Sequence, residues 1–281
     1  MPLRPTGAGH PVRLVSLSAD PVLRLTGVGV RREGRWILDR VDWTIRAGER
    51  WAIVGPNGSG KTTLLRVAST YLWPSRGSVD VLGETIGRTD ARELRRRIGY
   101  VSTALAADVD PALPALDVVL TARHAALAPW WASYSPADRE RAVAGLARLG
   151  LAGFEARTFG SLSSGERGRV LIARTLMTEP DLVLLDEPAA GLDLGAREDL
   201  LVRLTAMAAG SVAAIALVTH HLEEIPAGFD RALVLTGGAI RASGPIEEVL
   251  TSACLSAAYG LPLEVDARAG RFSARAGTST G

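Results

Sequence analysis

Along the chain, short unbroken apolar runs alternate with segments of helical periodicity. Trp51 to Val54, Leu182 to Leu185 and Ala213 to Val218 have strand length, and helix-like patterns such as Thr63-Leu64-Leu65-Arg66 and Val170 to Met177 lie between them. That order predicts an α/β fold with a largely parallel sheet. Residues 104–160 break the alternation. There Pro111, Pro114 and Pro136 punctuate Ala/Leu/Arg-rich stretches such as Ala137 to Leu149, which predicts an inserted helical subdomain. Residues 1–20 and 268–281 are small, polar and rich in Gly, Pro and Ala. Both are expected to be loose tails without chemistry, with residues 21–267 as the folded domain. No internal repeat and no heptad array is present.

Composition narrows the class. The 281 residues are 47% hydrophobic and 22% charged, enough to bury a sizeable core. The apolar run Val212 to Val218 stops at Thr219-His220, far short of the roughly 18 consecutive apolar residues that a spanning helix needs. No apolar segment of signal-peptide length follows Arg4 and Arg13, so a cytoplasmic location is expected. One cysteine, Cys254, excludes an internal disulfide and a multi-cysteine metal site. A net charge of +2 gives no warrant for nucleic-acid binding. The kind of base is more telling, because every basic side chain is an arginine except Lys61. Lysine is a compact point charge that fits a tight phosphate cradle, whereas the arginine fork is bulky and planar.

Lys61 stands in Gly55-Pro56-Asn57-Gly58-Ser59-Gly60-Lys61-Thr62, after the strand pattern Trp51 to Val54 and before the helical pattern that begins at Thr63. This is a P-loop in its required strand-to-helix context. Glycines let the backbone close around a polyphosphate, so that successive N–H groups and the positive end of the next helix point at it. Lys61 then reaches the β- and γ-phosphates of a nucleotide such as ATP, and the Thr62 hydroxyl is a ligand for Mg²⁺. A second motif, Leu182-Val183-Leu184-Leu185-Asp186-Glu187, is an apolar strand ending in two carboxylates. A strand that ends so delivers them to the sheet edge where open α/β folds bind ligands. Asp186 is the expected Mg²⁺ partner and Glu187 the expected base for an attacking water.

Leu162-Ser163-Ser164-Gly165-Glu166-Arg167, between the helical insert and the acid strand, resembles the signature sequence of ATP-binding-cassette (ABC) ATPases, with Ser164 in place of the usual first glycine. Ala190-Gly191-Leu192-Asp193 is similar to that family's D-loop, and Thr219-His220, after an apolar strand, to its H-loop. The resemblance implies a RecA-like P-loop core with an antiparallel β subdomain and a helical subdomain. It also implies two copies arranged head to tail, each ATP lying between the P-loop of one and Ser163, Ser164, Gly165 and Glu166 of the other. His220 is then a γ-phosphate contact and Asp193 part of the nucleotide-binding set. The implied activity is hydrolysis of Mg-ATP to drive transport by a separate membrane permease, the chain lying peripherally on the cytoplasmic face of the cell membrane. A soluble, non-transport ABC ATPase acting on nucleic acid or ribosomes is the alternative, but such proteins commonly carry two cassettes or a long coiled-coil insert. Two departures stand out. Thr103 occupies the position of the family's Q-loop glutamine, and Arg32 that of its adenine-stacking aromatic, a role open to the Arg32 guanidinium or to Trp36. Pro129-Trp130-Trp131 in the insert is the best candidate for docking a permease.

Overall fold

The computed structural model describes residues 20–124, 126–128 and 133–277. The expected N-terminal tail, apart from Asp20, and the Pro129-Trp130-Trp131 docking candidate lie outside the described residues. The central sheet has six strands in the order β10-β9-β3-β8-β7-β6, built from β3 (Arg50–Val54), β6 (Ile98–Ser102), β7 (Leu182–Asp186), β8 (Ala214–Val218), β9 (Arg231–Thr236) and β10 (Ala239–Pro245). Five of these run parallel, and β10 returns antiparallel to β9 at the edge. The unbroken apolar runs have a physical origin in this arrangement, because the inner strands are covered on both faces. Trp51 and Ile53 of β3 face one core while Ala52 and Val54 face the other, and Leu182 and Leu184 of β7 oppose Val183 and Leu185 in the same way.

On the first face lies an antiparallel sheet in the order β2-β1-β4-β5, formed by β1 (Leu23–Arg32), β2 (Arg35–Ile45), β4 (Arg76–Val81) and β5 (Glu84–Thr85). Helix α1 (Lys61–Ala68) is sandwiched there, burying Leu64, Leu65, Val67 and Ala68. Helix α2 (Ala91–Arg96) closes the end of this layer with Leu94. On the second face sit α3 (Thr103–Ala107), α4 (Ala115–Leu120), α5 (Pro136–Arg148), α6 (Ser164–Leu176) and α7 (Leu194–Ala209). Helices α4 and α5 pack on α6, and the buried Arg174 of α6 ties down the insert by donating to Thr121 Oγ1 at 3.0 Å and to the Ala126 carbonyl at 2.6 Å. None of the helices among the described residues is long and apolar enough to cross a membrane.

The C-terminal region departs from expectation. After α8 (Ile246–Val249) and α9 (Ser252–Tyr259), strands β11 (Leu263–Arg268) and β12 (Arg271–Ala276) form an antiparallel hairpin across the boundary at residue 267. The segment from 268 to 276 is therefore ordered rather than a loose tail. Its turn is two residues, Ala269 and Gly270, both at positive φ (52° and 73°), the geometry that matches strand twist in a tight hairpin. Phe272 is 7% exposed and joins the second core. Replacing it by Ala is expected to cost about 3 kcal/mol of unfolding free energy. Urea denaturation of the Phe272→Ala chain measures this; a loss under about 0.5 kcal/mol, the level of an ordinary surface substitution, would mean that the hairpin is not anchored there.

Candidate active site

The parallel register brings the chemistry to one edge. Ile53 and Asp186 both pair with Val218, so β3, β8 and β7 end at one level, and the chain leaves them as the P-loop, as Thr219-His220 and as Glu187. Beyond these ends lies a cavity of about 300 Å³ lined by Ile37, residues 57–63 and Glu187. Glycine is demanded at two P-loop positions. A Cβ on Gly55, at φ 148°, would lie 2.0 Å from the Leu235 carbonyl oxygen, and one on Gly60, at φ 104°, would lie 2.8 Å from that of Ile37. The loop is thereby pressed against β2 and β9 with its amides free to turn inward.

Lys61 is the first residue of α1 and only 5% exposed. Its ammonium donates to the Gly55 carbonyl at 2.7 Å and to the Pro56 carbonyl at 3.0 Å, which holds the charge at the helix N-terminus, where a polyphosphate belongs. Burial lowers its pKa, and Glu187 and Asp186 pull it back up. The Thr62 hydroxyl donates to Asp186 Oδ1 at 3.2 Å. Asp186 is buried, and desolvation pushes its carboxyl up to about 6, with the Thr62 hydrogen bond and Lys61 opposing and Glu187 reinforcing. A buried carboxylate and a hydroxyl this close form an all-oxygen pair, the donor type that Mg²⁺ takes together with phosphate oxygens and water. These two residues fit the ion.

Glu187 has φ 51°, a left-handed conformation that a non-glycine residue adopts only when its surroundings enforce it. Its amide donates to the Val218 carbonyl at 3.0 Å, which pins the turn to the neighbouring strand. The carboxylate so placed lies 3.3 Å from His220 Nδ1, without the alignment of a hydrogen bond. The His221 ring lies against that of His220, with centroids 4.1 Å apart and planes tilted by 47°. The turn behind them is fixed by Thr219, whose hydroxyl donates to the buried Glu224 carboxylate and accepts from the His221 amide at 3.0 Å.

Other residues singled out in the sequence lie elsewhere. Ser163 and Glu166 form a capping box at the start of α6, with bonds of 2.7 and 3.2 Å, and Ser163 and Ser164 are exposed. Asp193 N-caps α7 by accepting from the Ala196 amide at 2.8 Å. None of these four lines the cavity, nor does Gly165. Thr103 is exposed at the start of α3, and Ser102, level with Asp186 across the strand pair, caps that helix. Neither Arg32 nor Trp36 lines the cavity; the Trp36 ring is covered by the Arg76 guanidinium, 4.1 Å from its centroid. The apolar wall beside the P-loop is instead Ile37, a residue that sequence reading passed over. Strand alternation turns it to the face opposite Trp36, and no local signal marks it.

Comparison with known proteins agrees with this geometry. The family model described as ABC transporter matches residues 38–190. The uncharacterized ABC transporter ATP-binding protein YlmA of Bacillus subtilis is 42% identical over 246 residues, covering 87% of this chain and 93% of its own length. The hemin import ATP-binding protein HmuV of Streptomyces coelicolor is 39% identical over 240 residues, covering 85% of this chain and 83% of its own. Among solved structures, a dimeric post-hydrolysis ATP-binding cassette bound to ADP and Pi superimposes with a TM-score of 0.70 at 26% identity, over 80% of this chain and 98% of that one. Motif order, fold and likeness converge, and the chain belongs to the ABC transporter family as one of its ATP-hydrolysing, ATP-binding subunits.

Proposed function

We propose that ATP lies with its triphosphate along residues 55–63 and its base against Ile37, and that Glu187 and His220 carry out hydrolysis at the γ-phosphate. The observation that carries this reading is the convergence of Thr62, Lys61 and Glu187 on one cavity, with Asp186 hydrogen-bonded to Thr62 behind them. Thr62 and Asp186 would hold Mg²⁺, which when bound neutralises charge on the β- and γ-phosphates. Lys61 stabilises the same charge from the helix end. Glu187 orients a water against the γ-phosphorus and polarises it, and the enforced left-handed turn fixes its carboxylate for that task. His220, 3.3 Å away, contacts the γ-phosphate and keeps the Glu187 carboxylate facing it.

One chain supplies half of each site in this reading. The exposed Ser163-Ser164 end of α6, a 13-residue helix, presents the positive end of a dipole, suited to a phosphate carried by a second copy. Two copies head to tail would then enclose two nucleotides, and a separate permease would provide the membrane path, with the chain on the cytoplasmic face. The hemin-import role of the Streptomyces relative favours uptake as the direction of transport.

Lys61→Ala removes the charge from the cradle, and ATP turnover is expected to fall at least about a hundredfold with weakened binding, since electrostatic stabilisers of this kind are worth that much. Wild-type hydrolysis by this variant would sink the site assignment. Ile37→Ala should weaken ATP several-fold, by about 1 kcal/mol of lost apolar contact, while leaving the affinity for inorganic triphosphate unchanged. Equal losses for both ligands, or none, would remove Ile37 from the base pocket. Glu187→Gln keeps size and hydrogen bonding but loses the negative charge. Hydrolysis should drop by about 10² to 10⁴ while binding survives, so ATP-bridged dimers should accumulate by mass action. Light scattering behind size-exclusion chromatography reads the result; a variant that turns over normally, or that stays monomeric at saturating Mg-ATP, contradicts the account.

A further inference from the structure

The C-terminal hairpin reaches helix α7 and the turn after His220, which follow the strands that end at the site. Arg271, the first residue of β12, grips Glu198 with its fork, donating at 3.0 Å to one carboxylate oxygen and at 3.2 Å to the other. The same guanidinium donates at 2.6 Å to the backbone carbonyl of Glu223. Further along the strand, the Ala274 amide donates to the Glu223 carboxylate at 3.4 Å. Phe272 seats the strand in the core between these contacts. Arg271 thus touches α7 and the 3-10 turn Leu222–Glu224 at once.

Both partners lead directly to the site. Glu198 lies in the opening turns of α7, whose N-cap is Asp193 and whose approach is the loop that begins at Glu187. Glu223 stands three positions after His220, in the turn held by the hydrogen bonds among Thr219, His221 and Glu224. One rigid planar cation therefore fixes the separation between the element that follows Glu187 and the element that follows His220. A bidentate guanidinium–carboxylate pair is directional as well as attractive, so it resists both sliding and rotation of α7 against that turn. The pair also holds the Glu198 carboxyl below the usual carboxylate range, so Glu198 stays ionised at neutral pH.

We infer that Arg271 is a positioning residue for ATP hydrolysis: it braces α7 against the turn after His220 and so keeps His220 facing Glu187. This rests on the proposed roles of Glu187 and His220. The P-loop, α1 and Ile37 belong to elements that Arg271 does not contact through any of these bonds, so nucleotide affinity is independent of the brace while the catalytic step depends on it.

The test is steady-state ATP hydrolysis by the full chain, with kcat and KM separated, for Arg271→Ala, Arg271→Lys, Glu198→Gln and the exchange Arg271→Glu with Glu198→Arg. Thermal melting is measured alongside. Arg271→Ala is expected to lower kcat about tenfold, the scale of a sub-ångström misplacement in an active site, with KM changed less than about twofold. Glu198→Gln, which leaves Phe272 and the hairpin in place, should lower kcat in the same direction, and Arg271→Lys should fall between, because a lysine cannot fork. The exchanged pair should recover part of the kcat lost in Arg271→Ala. Unchanged kcat in Arg271→Ala and Glu198→Gln overturns the inference. So does a drop in kcat that is matched by a rise in KM and a lower melting temperature, since that is general loosening. Glu187-dependent turnover in the wild type with no effect at Arg271 defeats the brace alone, whereas a wild type without Glu187-dependent turnover defeats the underlying site reading and the brace with it.

Discussion

Val218 pairs with Ile53 on one side and with Asp186 on the other, and this register is what the rest of the site depends on. Parallel strands in register end together, so the loops that leave them start from a common plane. A one-residue slip of β7 against β8 would turn Asp186 to the opposite face and carry Glu187 away from Val218, whose carbonyl fixes its unusual backbone. The two cores enforce the register from both sides, because each inner strand feeds alternate side chains into both. The geometry of the candidate site is a by-product of hydrophobic burial that admits only one pairing.

The same burial sets the electrostatics. Lys61 and Asp186 are buried together, with the half-buried Glu187 beside them. Lys61 is held by two carbonyls rather than by a carboxylate, burial pushes the Asp186 carboxyl up to about 6, and Glu187 sits in a left-handed turn. In the proposed reading, a polyphosphate and a divalent cation would satisfy groups that the fold already holds apart from water. The selection of one lysine in a chain otherwise supplied with arginine fits the same demand, since the cradle between Gly55, Pro56 and the α1 N-terminus leaves room for a point charge.

The chain past β10 extends this logic. Residues 263–276 could not form a stable hairpin alone, and they hold their shape by burying Phe272 and by the fork of Arg271 on Glu198 and Glu223. The same contacts tie the hairpin to α7 and to the turn that follows His220.

What the sequence by itself determined is the chemistry that consecutive residues can perform. Backbone amides that cradle phosphate come from neighbours in the chain, so the P-loop at residues 55–62, the acid pair Asp186-Glu187 and the order of the later motifs were legible, as was the α/β pattern of unbroken apolar strands. Tertiary structure alone decided contacts between distant segments. Ile37 became the cavity wall, in place of Arg32 or Trp36, because strand alternation and the press of Gly60 against its carbonyl placed it there. The hairpin escaped notice because Ala269-Gly270 lacks the asparagine or aspartate that marks such a turn, and because Phe272 was the one large apolar residue in a small, polar stretch. Arg271 and Glu198 carried no local signature, since a salt bridge depends on separation in space and the chain between them runs through three strands of the central sheet.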